Sequence, residues 1–445
     1  MLPITTQEVS SQQWKAETLS VLSGVRGLCI LWVFWQHSSV NTEDSIMGYK
    51  QYSDRMNFNT AIFLIMTGFT SWCQHRNEKM NYRNFILGNY FSLIPLNVLS
   101  ILIKWPPEMY AAATTANANA SAISQFLLVL SHVSGFGVVG SFAGMAGNHL
   151  GPSESKMLGL MAGSYFGSML FLLLGIYALF HWVLRSSKIL CSLFQQSCIP
   201  SLLLAIVMGT LSIFLGQLTD STHVSLFAGG QLNLLPMLML GVCIAEVRHH
   251  LPPMGQAVLG HSLTIDILCA AFLTVTFMPY SYSDTSSAST FPTPTSKAEG
   301  FSDLSSVLLL SSQMAIFCLL VLAFSCQIFH KKRSIVTHFV LRRSLFQGFF
   351  AKYSYTLYLS QLPVIFLYYP QWMTMLLPED HPRNSIDGSK FNWAGSGCLH
   401  RLLMLLMSLA LAMVFLVEAG HVRDERLLIG TTVHCGRAFI ATVDE

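Results

Sequence analysis

The chain has 445 residues, of which 52% are apolar and only 11% are charged. Soluble globular proteins carry about 25% charged residues, so this composition excludes an ordinary water-soluble enzyme. With 25 Lys and Arg against 22 Asp and Glu the formal charge is only +3, and no basic run interleaves with aromatics, which excludes nucleic acid as a partner.

An α-helix rises ~1.5 Å per residue, so apolar stretches of about 17–25 residues can cross a hydrocarbon layer about 30 Å thick. Ten stretches are predicted to span: 19–37, 58–73, 85–103, 158–182, 199–217, 227–245, 262–280, 305–329, 353–369 and 402–419. The expected fold class is an all-α polytopic membrane protein, a bundle of about ten transmembrane helices. The shorter stretch 125–140 is interrupted by His132, Ser134, Gly135 and Gly137 and reads as re-entrant or interfacial. Residues 282–302, rich in Ser, Thr and Pro, read as a flexible outer loop. Polar residues 1–18 precede a first helix with no small-residue cleavage site, so they are expected to form a cytoplasmic N-terminal segment. The membrane domain then covers 19–426, followed by a cytoplasmic tail over 427–445.

Short loops rich in Lys and Arg stay on the cytoplasmic side. With both termini cytoplasmic, Arg76, Lys79, Arg83, Arg185, Lys188, Arg248 and the cluster over 331–343 all fall inside, and few basic residues fall outside. Were 125–140 a full span, the 331–343 cluster would move outside. Of the cysteines only Cys398 lies on the outer side, and no CxxC pair occurs, so neither a disulfide framework nor a metal site is expected.

An ionisable group inside a span is costly and asks for a reason. Arg26 lies within the first predicted helix, and His37 follows eleven residues later. At about 100° per residue both side chains fall on one face, about 16.5 Å apart along the axis. Such a face is expected to line a cavity, although snorkelling of Arg26 and an interfacial place for His37 beside Trp32 and Trp35 is the plainer alternative. An imidazole in a cavity is suited to taking a proton from an attacking hydroxyl.

These residues carry a resemblance. The run from Val25-Arg26-Gly27-Leu28 to Trp35-Gln36-His37 resembles the first-helix signature of the membrane acyltransferase 3 family. Further segments match in order: Phe63 to Phe69 with Thr67-Gly68-Phe69, Tyr82 to Pro95, Pro236 to Ala245 with Gly241, Tyr353 to Pro363, and Val417-Glu418. Ser92, Ser168, Gln361 and Gly420 stand where the family often has Arg, an acid, His and Pro. The resemblance implies an O-acyltransferase moving an acyl group, expected to be acetyl, from cytoplasmic acyl-CoA to a hydroxyl of a carbohydrate or lipid-like acceptor. His37 would act as general base or acyl-handling group, and Arg26 would hold an anionic or carbonyl portion of the donor. Tyr355, Tyr358, Gln361 and Asp266 complete the expected substrate-binding set, with a hydrogen-bonded core position as the plainer alternative for Asp266, a lone acid inside the seventh predicted span. Acyl-CoA is then a substrate, no cofactor is held permanently, and the place is the plasma membrane or an endomembrane. A multi-helix transporter, or a catalytically silent relative that binds lipid or a partner, are the alternatives.

Overall fold

The computed structural model describes residues 11–39, 58–76, 80–113, 162–196, 198–221, 234–277, 304–327, 334–364 and 401–414. Among these, all regular structure is helical. The helices are α1 (Ser11–Ser39), α2 (Phe58–His75), α3 (Tyr82–Ala113), α4 (Ala162–Ser186), α5 (Lys188–Gln196), α6 (Cys198–Ser221), α7 (Leu234–His250), α8 (Pro253–Leu259), α9 (Ser262–Phe277), α10 (Leu304–Cys326) and α11 (Ser354–Pro363), with α12 over Arg401–Val414. Each predicted span coincides with a helix over its described part. Within α1 and α4, Thr18–Trp35 and Met169–Ser186 are each long and apolar enough to cross a membrane, and counting the bent pairs α5–α6 and α8–α9 as single spans raises the number to four. The predicted segments 125–140 and 282–302, and residues such as His132, Cys398 and Glu418, lie outside the described residues.

Three helical pieces were not expected. α5, α8 and a stretch of two π-helices, Thr337–Leu341 and Leu345–Phe350, occupy what read as connecting loops. Each is too short for a span-length hydropathy window, and each interleaves apolar with polar residues.

Two helices are centres of packing. α7 is apolar on all sides and correspondingly buried, with Leu238, Val242, Cys243 and Ala245 fully inaccessible. It lies between α2, α6 and α10. α11 is the second centre, touching α1, α3 and α4, while its Ser360 hydroxyl donates to the Ser408 carbonyl of α12 at 2.8 Å. α1 joins the two centres by packing on α2, α10, α11 and the π-helical stretch.

Lipid tails are as apolar as Leu, so apolar burial does little to hold such helices together, and close van der Waals approach does more. Glycines provide it. A Cβ on Gly68 of α2 would collide with the Leu238 carbonyl of α7, and one on Gly241 of α7 would collide with the Ile65 carbonyl of α2. The same holds where Gly24 and Gly27 of α1 meet the carbonyls of Leu341 and Phe346 in the π-helical stretch. The glycines of the family-like motifs thus have a packing reason.

Partner pairs also show which helix ends meet. The C-terminal ends of α2, α4, α7 and α10 and the N-terminal ends of α3, α9 and the 334–364 stretch gather at one end of the bundle. Arg76, Arg83, Arg185, Arg248, Arg342 and Arg343 all belong to these segments, and Lys188 opens α5 directly after α4.

Candidate functional site

α1 is unbroken from Ser11 to Ser39, so Arg26 and His37 belong to one helix. Arg26 stands four residues after Leu22, three before Cys29, four before Ile30 and seven before Val33, all of them buried. It therefore lies in the stripe α1 turns toward protein. The side chain of His37 lies outside the described residues. Near the same end of α1, the Arg401 guanidinium of α12 sits 4.3 Å from the centre of the Trp35 ring, a cation–π contact joining the two helices.

Tyr358 of α11 is partly buried against the cluster that Ile30 and Val33 of α1 form with Phe350 and Leu357. Tyr355, one turn earlier, is turned elsewhere: its hydroxyl donates to the Leu93 carbonyl of α3 at 3.1 Å and lies against Gly167 of α4. Gln361 is fully buried within α11. Tyr355 thus ties α11 to α3 and α4. Ser92 is exposed and donates to the Asn89 carbonyl of its own helix, so the family's Arg position points away from this core.

Asp266 caps the start of a neighbouring helical stretch. One oxygen accepts from the Ile335 backbone N–H at 3.2 Å and the other from Val336 at 3.3 Å, while Ser334 Oγ accepts from Thr337 N–H at 3.0 Å. The first turn of a helix leaves its N–H groups without intrahelical partners, and a carboxylate there is favoured electrostatically. Asp266 of α9 and Ser334 together satisfy that turn and fix the start of the stretch on which α1 packs.

Sequence reasoning missed a polar cluster where α2 and α7 end. Glu246 is completely buried and takes a two-point contact from Arg76, Nε to Oε2 and Nη2 to Oε1, both 2.7 Å. Trp72 Nε1 donates to Oε2 at 2.7 Å, and His250 Nε2 donates to Oε1 at 3.1 Å. A charge so placed needs such partners, because leaving water costs several kcal/mol per ion, on the order of 5. Beside it His181 of α4 bridges two elements. Its Nε2 faces the His75 carbonyl at 3.1 Å and must donate, which leaves Nδ1 to accept from the Tyr82 hydroxyl at 3.0 Å. Glu246 follows directly on an apolar stretch, where sequence alone marks it as a helix-end charge reaching headgroups. The available signal was the pairing of Trp72 with Arg76 and of Glu246 with His250, each at four-residue spacing on one helical face.

These groups set a pH response. Burial pushes Glu246 up, but hydrogen bonds from Arg76 and Trp72 outweigh it and hold the carboxyl below its ordinary value of 4.5. Burial, and then the Arg76 and Arg248 guanidinium groups, push His249 from 6.5 down to about 4. Both folded-state values are depressed, so the stability they contribute is complete above the unfolded values and is lost as pH falls. Thermal unfolding of the reconstituted protein should show Tm falling as pH drops from 6.5 toward about 4, and more steeply below 4.5. His249→Gln should flatten the upper part of that fall and leave the lower part; an unchanged upper slope would remove His249 from the account.

No family model matches this chain, and no curated protein or solved structure matches it.

Proposed function

We propose that the chain is a multi-pass O-acyltransferase of the plasma membrane or an endomembrane, similar in mechanism to the acyltransferase 3 family. In this reading ten helices span the bilayer, both termini are cytoplasmic, and the end bearing Arg76, Arg248 and Arg343 faces the cytosol by the positive-inside rule. The observation that carries it is the unbroken α1, with Arg26 in the protein-facing stripe and His37 eleven residues on along the same face. The family-like segments on α1, α2, α3, α7 and α11, distant in sequence, also pack into one continuous core.

Acyl-CoA approaches from the basic end and Arg26 holds an anionic portion of it, leaving the thioester to extend toward His37; a guanidinium suits this because it stays charged and donates two parallel hydrogen bonds. His37 takes the proton of the acceptor hydroxyl as its oxygen attacks the thioester carbonyl. The new O–acyl bond forms, the C–S bond breaks, and the proton passes to the departing CoA thiolate. Tyr358, packed against the cluster that α1 and α11 share, lines the path of the acyl chain.

The test follows label from radiolabelled acetyl-CoA into carbohydrate and lipid extracts of membranes holding the full chain. Wild type should transfer label, and His37→Ala should lower the rate by about 100-fold or more, the usual contribution of a general base. Arg26→Ala should abolish transfer at equal expression. Absence of label above a protein-free control, across acyl-CoA lengths, would defeat the reading and direct attention to flux.

A further inference from the structure

The three helical pieces at the basic end share one feature. Ile189 and Leu193 on α5, Met254 and Val258 on α8, and Ile335 and Phe339 before the second π-helix are pairs four residues apart, and each of the six is more than half exposed. Residues at that spacing share a helical face, so each piece turns a short apolar stripe outward. The opposite side of α5 is anchored, because Phe194 meets Trp72 edge-on at 5.5 Å, one turn from Arg76. α8 follows α7 directly, and Gly260 just after it abuts the Cys326 carbonyl at the end of α10. The 335 turn is held by Asp266 near the start of α9. All three pieces therefore sit at the level of the Glu246 cluster.

Two of the three pieces depart in direction from the long helix that follows them. α5 meets α6 at 86°, and α8 meets α9 at 56°. A helix nearly perpendicular to a span lies along the membrane plane, and an apolar face exposed there rests at the boundary of headgroups and acyl chains. Trp182, exposed on α4 just before α5, marks the same level, since Trp concentrates at that interface. The flanking charges are basic and exposed: Arg185 and Lys188 at α5, Arg343 and Lys352 at the π-helical stretch. Neither α5, α8 nor 334–353 contains an acidic residue.

We infer that these three pieces form an interfacial collar seated in an anionic leaflet, their apolar pairs in the outer acyl region and their basic residues on lipid phosphates and carboxylates. The collar is independent of the chemistry assigned to α1.

The full chain is reconstituted in nanodiscs of phosphatidylcholine, with and without phosphatidylserine. An environment-sensitive fluorescent amino acid is placed singly at Ile189, Met254 or Phe339, with Leu203 on the exposed side of α6 as the control within a span. Lipids spin-labelled at shallow or deep acyl positions act as quenchers. The three collar positions should be quenched about two-fold more by shallow than by deep labels, and Leu203 the reverse. Phosphatidylserine should strengthen shallow quenching at Ile189 and Phe339, and Lys188→Ser with Arg343→Ser should remove that gain. Quenching of the collar by aqueous iodide in place of lipid would overturn the inference and leave these faces for a soluble partner. Deep quenching at all positions would overturn it by making the pieces part of the spans. An absent response to phosphatidylserine would overturn the anionic preference.

Discussion

Glu246→Leu should destabilise the folded protein by about 3 kcal/mol, the lower end for breaking a buried ion pair because Arg76 keeps 17% of its side chain in contact with solvent. Arg76 would lose both of its carboxylate contacts, and Trp72 would keep a buried N–H with nothing from Glu246 to receive it. Arg76→Leu should be harmful for the opposite reason, leaving a carboxylate with full burial and only Trp72 and His250 beside it. The double variant removes both charges together and should be milder than the sum of the two, since a pair replaced by apolar side chains no longer leaves an uncompensated ion. Denaturation in mixed micelles, followed through the tryptophan signal, gives the three values. Additive losses would show that the two residues stabilise the end of the bundle separately.

Gly68→Leu is expected to prevent recovery of folded protein, and Gly68→Ala to cost more than about 2 kcal/mol. The atom that a new Cβ meets is the Leu238 carbonyl of α7, part of a helix backbone that no rotamer change can move aside. Gly241→Ala should behave alike, because its Cβ meets the Ile65 carbonyl of α2 across the same contact. Gly175 of α4 is the control: nothing lies within 4 Å of the position of its Cβ, so Gly175→Ala should be neutral or stabilise by up to about 1 kcal/mol through helix propensity. Equal losses at all three positions would show that the effect comes from glycine itself and not from the α2–α7 approach.

The places where helices lie were legible because apolar runs of this length have few other uses, and the observed helices follow them closely. The Arg26 and His37 alignment was legible too, since helical periodicity needs only the residue numbers and an unbroken helix. α5, α8 and the π-helical stretch were not. They are brief, they end within one or two turns, and tertiary contacts hold them where intrinsic signals are weak: Phe194 on Trp72 for α5, Asp266 on Ile335 and Val336 for the last. The cap that Asp266 provides has the same origin, because whether a lone acid caps a distant helix depends on a partner 69 residues away.

By itself, then, the sequence determined the helical class, the positions of the long helices and the face shared by residues 26 and 37, all consequences of local composition and of a fixed 3.6-residue period. Tertiary structure decided what lies across from each face: that Gly68 and Gly241 are reciprocal contact points, that Tyr355 ties α11 to α3 and α4, and that Glu246 is a buried partner of Arg76. These choices rest on contacts between residues up to 262 positions apart. Helices whose outer faces are uniformly apolar can be packed in many arrangements, and only close backbone approach and satisfied polar groups select among them.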